Sequence, residues 1–186
     1  MKKLIILALT LALMLTSMTA CSSSNGNSQG GTSSSQQEQV KEPELNDIVE
    51  AVKEAYGDNY LPSVDKEMLS DIYGVNTDNL EEFFAEMPMM SAHVDTFIAA
   101  KAVEGKGEEV QKELQAYLDD LIANSMTYPM NVAKVQSGKV VRYGDYVFFV
   151  MLGDYDDRTD VTEEDNLKFA EEQTQIGLDV IASFFA

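Results

Sequence analysis

The sequence predicts an α+β fold: one compact domain in which helices pack on an antiparallel sheet of about four strands, in the order α-α-β-β-α-β-β-α. Three observations predict it. Apolar residues recur at every third or fourth position in four stretches, and alternate or run together in four others. Gly144-Asp145 separates two β-rich runs by the two residues of a tight hairpin. Both faces of that hairpin are apolar, so both have to be covered.

From Glu44 to Tyr56, Leu45, Ile48, Val49 and Val52 line one helical face, and Gly57 stops it. Pro62 and Asp65 precede a shorter helical pattern with Met68, Leu69, Ile72 and Tyr73 inward, ended by Gly74. These two helices are expected to form one packing layer. Leu80 to Met87 mixes glutamates that favour helix with Phe83-Phe84 and a following Pro88, and it reads as a strand. Over 91–103, Val94, Thr96, Ile98 and Ala100 alternate with His93, Asp95, Phe97 and Lys101, which predicts a strand with one face covered first. Gly105-Lys106-Gly107 breaks it and leads into the widest apolar stripe, Val110, Leu114, Tyr117, Leu118, Leu121 and Ile122. Glu108 and Glu109 complement the dipole in its first turn, and Glu108 reaches Lys112. Tyr128-Pro129 ends that helix. Lys134 to Tyr143 and Tyr146 to Leu152 are the hairpin strands, with Tyr143 opposite Tyr146, Val141 opposite Phe148 and Val140 opposite Phe149. The Val110 helix is expected to cover one face, and the N-terminal helices or the last segment, Glu163 to Phe185, the other. Thr162 caps that last helix, with Glu163, Glu164 and Asp165 in its first turn and Leu167, Ala170, Leu178, Ile181 and Phe185 as its stripe.

The domain so read spans 40–186, about the size of one ordinary domain. Ahead of it, Lys2 and Lys3 precede an apolar run from Leu4 to Leu15, too short for the roughly 20 residues a spanning helix needs. With the small residues that follow, this predicts a signal peptide over 1–20. Met18-Thr19-Ala20-Cys21 resembles the bacterial lipobox, departing from its commonest form at Met18, where leucine is more usual. The resemblance implies that Cys21, the only cysteine, is lipidated and becomes the mature N-terminus. Residues 22–39 hold Ser, Gly, Asn, Gln and Thr with one charge, Glu38, and no aliphatic or aromatic side chain. They read as a disordered tether spanning roughly 20–25 Å.

The chain has 32 acidic and 13 basic side chains; without residues 1–20, which hold Lys2 and Lys3, the balance is 11 against 32, or −21. That excludes a nucleic-acid partner, whose phosphates need lysine and arginine. It also repels anionic lipid, so the expected membrane attachment is Cys21 itself. With Cys21 acylated, no thiol remains for a disulfide or a cysteine nucleophile, and no cofactor is expected.

Candidate chemistry is sparse. His93, the only histidine, reads as a rim residue or as a ligand or base, with no nucleophile motif beside it. Met87, Met89 and Met90 are soft thioethers that could hold Cu(I) with His93, or adaptable core fillers. Asp154, Asp156 and Asp160 lead an acidic loop with Asp157, Glu163, Glu164 and Asp165; the hard oxygens at alternating positions suit calcium. Against that, Arg158 and Thr159 stand where an EF-hand loop needs a ligand and a glycine, and a solvated loop at a helix N-terminus is the other account. Tyr143 and Tyr146 flank the hairpin turn, with Tyr155 soon after, as an interaction surface or as cross-strand packing. No G-x-x-x-x-G-K-[ST] or H-E-x-x-H occurs.

From about Leu80 to Leu152, notably Met89-Met90-Ser91-Ala92-His93-Val94-Asp95, Tyr128-Pro129 and Gly144-Asp145-Tyr146-Val147-Phe148-Phe149, the chain resembles the bacterial lipoproteins grouped as domain of unknown function 4358. The resemblance implies a Gram-positive surface lipoprotein and assigns no catalytic residue. The expected function is that of a lipid-anchored extracytoplasmic module that binds or assists another envelope protein. The alternatives are a small-solute or metal-binding lipoprotein and a wall-polymer hydrolase working through paired carboxylates.

Overall fold

The computed structural model describes residues 42–57, 66–87, 92–124 and 126–186. The predicted signal peptide, Cys21 and the tether lie outside the described residues, as do Pro62, Asp65, Met89, Met90 and Ser91. The rest is an α+β domain.

Helix α1 (Leu45–Tyr56) buries Leu45, Ile48, Val49 and Val52, and Gly57 ends it at φ 81°, a left-handed conformation that favours glycine. Helix α2 (Lys66–Tyr73) buries only Leu69 and Tyr73. Met68 and Ile72, expected inward, are 38% and 37% exposed, because a two-turn helix turns only a narrow face to the core, here Leu69 and Tyr73. A 3-10 turn (Thr77–Asn79) leads into strand β1 (Leu80–Glu86). Strand β2 (Thr96–Ala102) is shorter than predicted, since residues 92–95 peel away from the sheet. It is also buried on both faces, because it lies between two other strands with helices above and below. Helix α3 (Gly107–Asn124) buries Gly107, Val110, Leu114 and Leu118, while Ile122 lies past the sheet and is 45% exposed.

One predicted strand is half helix. A 3-10 turn (Pro129–Asn131) runs into helix α4 (Val132–Ser137), and only Lys139–Tyr143 forms strand β3. The predicted strand began at Lys134, but Val132 and Val135 stand one helical turn apart, and packing turns Val135 into the core. Strand β4 (Tyr146–Met151) is buried throughout. Helix α5 (Glu163–Ser183) starts with a capping box: Asp165 N donates to Thr162 Oγ1 at 3.1 Å, and Thr162 N donates to Asp165 Oδ2 at 3.2 Å.

The sheet is antiparallel in the order β1-β2-β4-β3. Its hairpin register matches the prediction: Tyr143 opposite Tyr146, Val141 opposite Phe148, Val140 opposite Phe149. Alternation along β4 then makes two cores. Val147, Phe149 and Met151 pack with Leu69 and Tyr73 of α2 and with Val110, Leu114 and Leu118 of α3. Phe148 and Val150 pack with α1 and with Ile181 of α5. The two N-terminal helices therefore lie on opposite faces and do not form one layer. Each large apolar side chain fully buried this way stabilises the fold by about 1.5–3 kcal/mol, so β4 contributes to both cores at once. No helix among the described residues is long and apolar enough to cross a membrane.

Candidate functional site

Helix α3 spans the sheet from one end to the other, about 27 Å for 18 residues. Its first residue, Gly107, sits against the hairpin turn: Gly107 N donates to Asp145 Oδ1 at 3.1 Å, and an added Cβ would meet the Gly144 carbonyl at 2.5 Å. Further along, Leu118 lies by Gly138, which immediately precedes β3. The domain thus has a turn end and a loop end. At the loop end the row Glu86, Phe97, Val150 and Lys139 closes the sheet, and the segments 92–95, 126–131 and 152–162 emerge beyond it.

A buried lysine ties those three segments together. Lys134, 3% exposed, projects from α4; its Nζ donates to Asp95 Oδ1 at 2.8 Å and to the Gly153 carbonyl at 2.5 Å, and stands 3.7 Å above the Tyr155 ring. Asn131, fully buried, donates from Nδ2 to the Ala92 carbonyl at 3.0 Å and accepts at Oδ1 from the Tyr155 hydroxyl at 2.9 Å. Ser137 Oγ donates to the Lys134 carbonyl at 2.8 Å and lies 3.0 Å from Thr174 Oγ1, which links α4 to α5. Burial, reinforced by the Asp95 charge, pushes the Tyr155 hydroxyl up to about 12, so it stays protonated at neutral pH. Every strong donor here is spent on an acceptor within the fold. The arrangement holds loops in place.

Just before Asn131 in the chain stand exposed apolar side chains. Met126 is fully exposed, Met130 is 59% and Tyr128 55% exposed, with Val132 and Ile122 beside them in sequence. Asp154, Asp157 and Asp160 are exposed on the third segment.

The predicted site residues fall at both ends. His93 is exposed at the loop end, its ring edge-on to Tyr155 at 6.3 Å. Met87 Sδ accepts from the Tyr73 hydroxyl at 3.5 Å and packs on the core, as a filler would; Met89 and Met90 lie outside the described residues. In the acidic loop, Arg158 grips both oxygens of Asp156 (Nε to Oδ1 2.8 Å, NH2 to Oδ2 2.5 Å), which holds that carboxyl below its ordinary range. Asp165 is engaged in its capping box. Among the described residues no group of three or more His, Cys, Asp or Glu could hold a metal ion.

Tyr143 and Tyr146 belong to the turn end, and they pack. Tyr143 stacks on Phe185 at 4.5 Å, with 5° between the rings. Tyr146, 5% exposed, donates its hydroxyl to the Pro43 carbonyl at 2.8 Å. They border an open cleft of about 800 Å³ shared with Lys101, Glu42 and Glu81. Lys101 pairs with Glu42 at 3.2 Å inside it. Asp145 accepts from Gly105 N and Gly107 N, and those backbone bonds hold its carboxyl below the usual range.

Sequence reasoning missed the Lys134 network. Its members come from four separate stretches, and a lysine among valines carries no signal of burial. The only hint was Asp95 and His93 standing in the same short segment that resembles the family.

No curated protein and no solved structure matches the chain. One family model does, that of a domain of unknown function (DUF4358), over residues 54–152, just over half of the 186. The match takes in all four strands and three of the four side chains that meet at Lys134, counting Asp95, Asn131 and Lys134 itself with Tyr155 just beyond. The chain therefore belongs to the DUF4358 family.

Proposed function

We propose that this chain is a lipid-anchored extracytoplasmic module that binds another protein of the cell envelope. Its lipobox-like Met18-Thr19-Ala20-Cys21 and the polar stretch after it support the anchor and tether. The observation that carries the binding role is the polarity of the domain. The described chain begins beside the hairpin turn, where Pro43 meets Tyr146, while the segments fixed by Lys134 and carrying exposed Met126, Tyr128 and Met130 lie at the far end. Loops on a rigid scaffold, with apolar side chains held in water, are how binding modules are commonly built.

Reversible crosslinking of intact cells, detergent extraction, affinity purification and mass spectrometry test it, beside a Cys21→Ser form. One envelope protein enriched with the native chain and lost with the unanchored form is the expected result. Absence of any enriched partner from cells where the chain is abundant refutes the reading.

A second reading, a receptor for a small solute, draws on the cleft of about 800 Å³ at the turn end, a volume within the range of ligand sites. A ligand that raises the melting temperature, and ceases to do so when Tyr143 is replaced by alanine, would favour it.

A further inference from the structure

We infer that the loop end docks a protein surface offering an apolar pocket edged by lysine or arginine side chains; the inference rests on the binding-module reading and says which face binds and what it binds. Elsewhere among the described residues, exposed apolar side chains reach less far into water, with Met68, Ile72, Val103 and Ile176 at 37–39%. Helices cover both faces of the sheet. Its edge strands carry exposed Glu81 and Glu82 on β1 and exposed Lys139 and Arg142 on β3, charges that oppose strand addition. At the turn end, Tyr143 and Tyr146 are covered by Phe185.

The loop end differs in three ways. Met126, Tyr128 and Met130, at 103%, 55% and 59% exposure, crowd apolar surface into five residues, and methionine adapts its shape to a partner. Directly after them in the chain, Asn131 and Lys134 are buried and hydrogen-bonded to both neighbouring segments, so the platform is set before binding and little ordering is left to oppose it. Flanking them, Asp154 and Asp157 stand on either side of Tyr155, whose hydroxyl is bonded to Asn131 next to Met130, and Asp160 follows. An apolar centre with an acidic margin selects the occupant. A second copy would bring the same acids face to face on chains that each have a formal −19, and an anionic bilayer would repel them. A basic-rimmed protein pocket satisfies both parts.

The test places a benzophenone amino acid at position 128 of the full anchored chain in its own cells, and at Val103 as a control. Val103 is 39% exposed and follows β2 at the turn end. The expected result is one protein adduct from position 128 and none from 103. Met126→Ser with Met130→Ser lowers its yield at least about tenfold without changing the melting temperature, as loss of apolar anchors does. Raising salt on isolated membranes from about 0.15 to 0.5 M also lowers it, as charge screening requires. The partner peptide mapped at the adduct carries lysine or arginine beside apolar residues. An adduct of twice the chain's mass, a lipid adduct, or a yield indifferent to both serines and salt overturns the inference. A partner captured from 103 and not from 128 overturns it while leaving the binding module standing. No adduct from either position, with no partner in chemical crosslinking, removes both.

Discussion

Replacing Lys134 by methionine measures what the buried ammonium does for the loops. Methionine is also unbranched and fills most of the same space, so little packing is lost and the charge is isolated. Nζ makes two hydrogen bonds, 2.8 Å to Asp95 Oδ1 and 2.5 Å to the Gly153 carbonyl, and bonds that involve a charged group are worth about 1.5–3 kcal/mol each. Removing one partner of a fully buried ion pair costs about 3–5 kcal/mol, most of it the charge left behind. Asp95 keeps a side chain 20% exposed and regains some water, against 3% for Lys134, which places the expected loss near the bottom of that range, about 3 kcal/mol. In a chain of this length that lowers the melting temperature by roughly 6–12 °C. Urea titration of the Cys21→Ser chain reads it as a lower midpoint at unchanged slope. Adding Asp95→Asn removes the stranded charge, so the double variant is expected to be about 1 kcal/mol more stable than Lys134→Met alone, a non-additivity typical of groups in contact. A loss under about 1 kcal/mol, or strictly additive changes, refutes the view that this pair holds the loop end together.

Gly107→Ala is expected to lose about 2 kcal/mol in the same titration, although alanine is the better helix former, because its Cβ would stand 2.5 Å from the Gly144 carbonyl and 2.9 Å from Asp145 Cα; an unchanged midpoint would mean the turn moves freely. Thr162→Ala removes the capping box of α5 and should cost about 1 kcal/mol, recovered in large part by serine at the same position. Glu86 is buried, its Oε2 has no hydrogen-bond partner among the described residues, and burial raises its carboxyl above the ordinary range despite Lys53 at 3.2 Å. The folded chain therefore holds this proton more tightly than the unfolded one, so its contribution to stability is present below the unfolded value, near 4.3, and fades as pH rises through the folded one. Melting temperatures of Glu86→Gln minus wild type should accordingly be more positive at pH 7 than at pH 4, and the opposite slope sinks the assignment.

How far the sequence could be read depended on how local each signal was. The 45–56 and 107–124 helices, the Thr162 cap and the hairpin register each rest on residues a few positions apart, and all four are found in place. Where the signal was shared between two structures, packing decided. Val132-Ala133-Lys134-Val135 suits a strand by composition, and becomes helix because Gly138 lets the chain turn beneath Leu118 and Phe149 before β3 begins. Met68 and Ile72 fit a helical stripe, yet they stand at its exposed margin while Leu69 and Tyr73 are buried. Tyr143 and Tyr146 left two readings open at the turn, and the choice rested with Phe185, some forty residues on. The loop end was beyond local reading altogether, since Lys134 meets Asp95 across 39 residues.

That network also explains why polar side chains occupy so dry a position. Segments 92–95 and 152–155 leave the sheet, and the carbonyls of Ala92 and Gly153 take their donors from side chains rather than from a neighbouring strand. A backbone carbonyl outside the ladder still needs a donor, and here the segment between supplies one to each. Helix α4 and the 3-10 turn before it supply the two donors three residues apart: Asn131 Nδ2 for Ala92 and Lys134 Nζ for Gly153. An apolar pair in their place could match the bulk and leave both carbonyls orphaned. Lysine brings a charge that then needs Asp95, and Tyr155 closes over both, its ring on the ammonium and its hydroxyl on Asn131. One requirement, the pairing of two backbone oxygens, thus links four side chains from three parts of the chain. The same bonds fix the backbone on which Met126, Tyr128 and Met130 stand. Loosening Lys134 should therefore weaken partner capture at position 128 even though the lysine is 3% exposed and touches no partner.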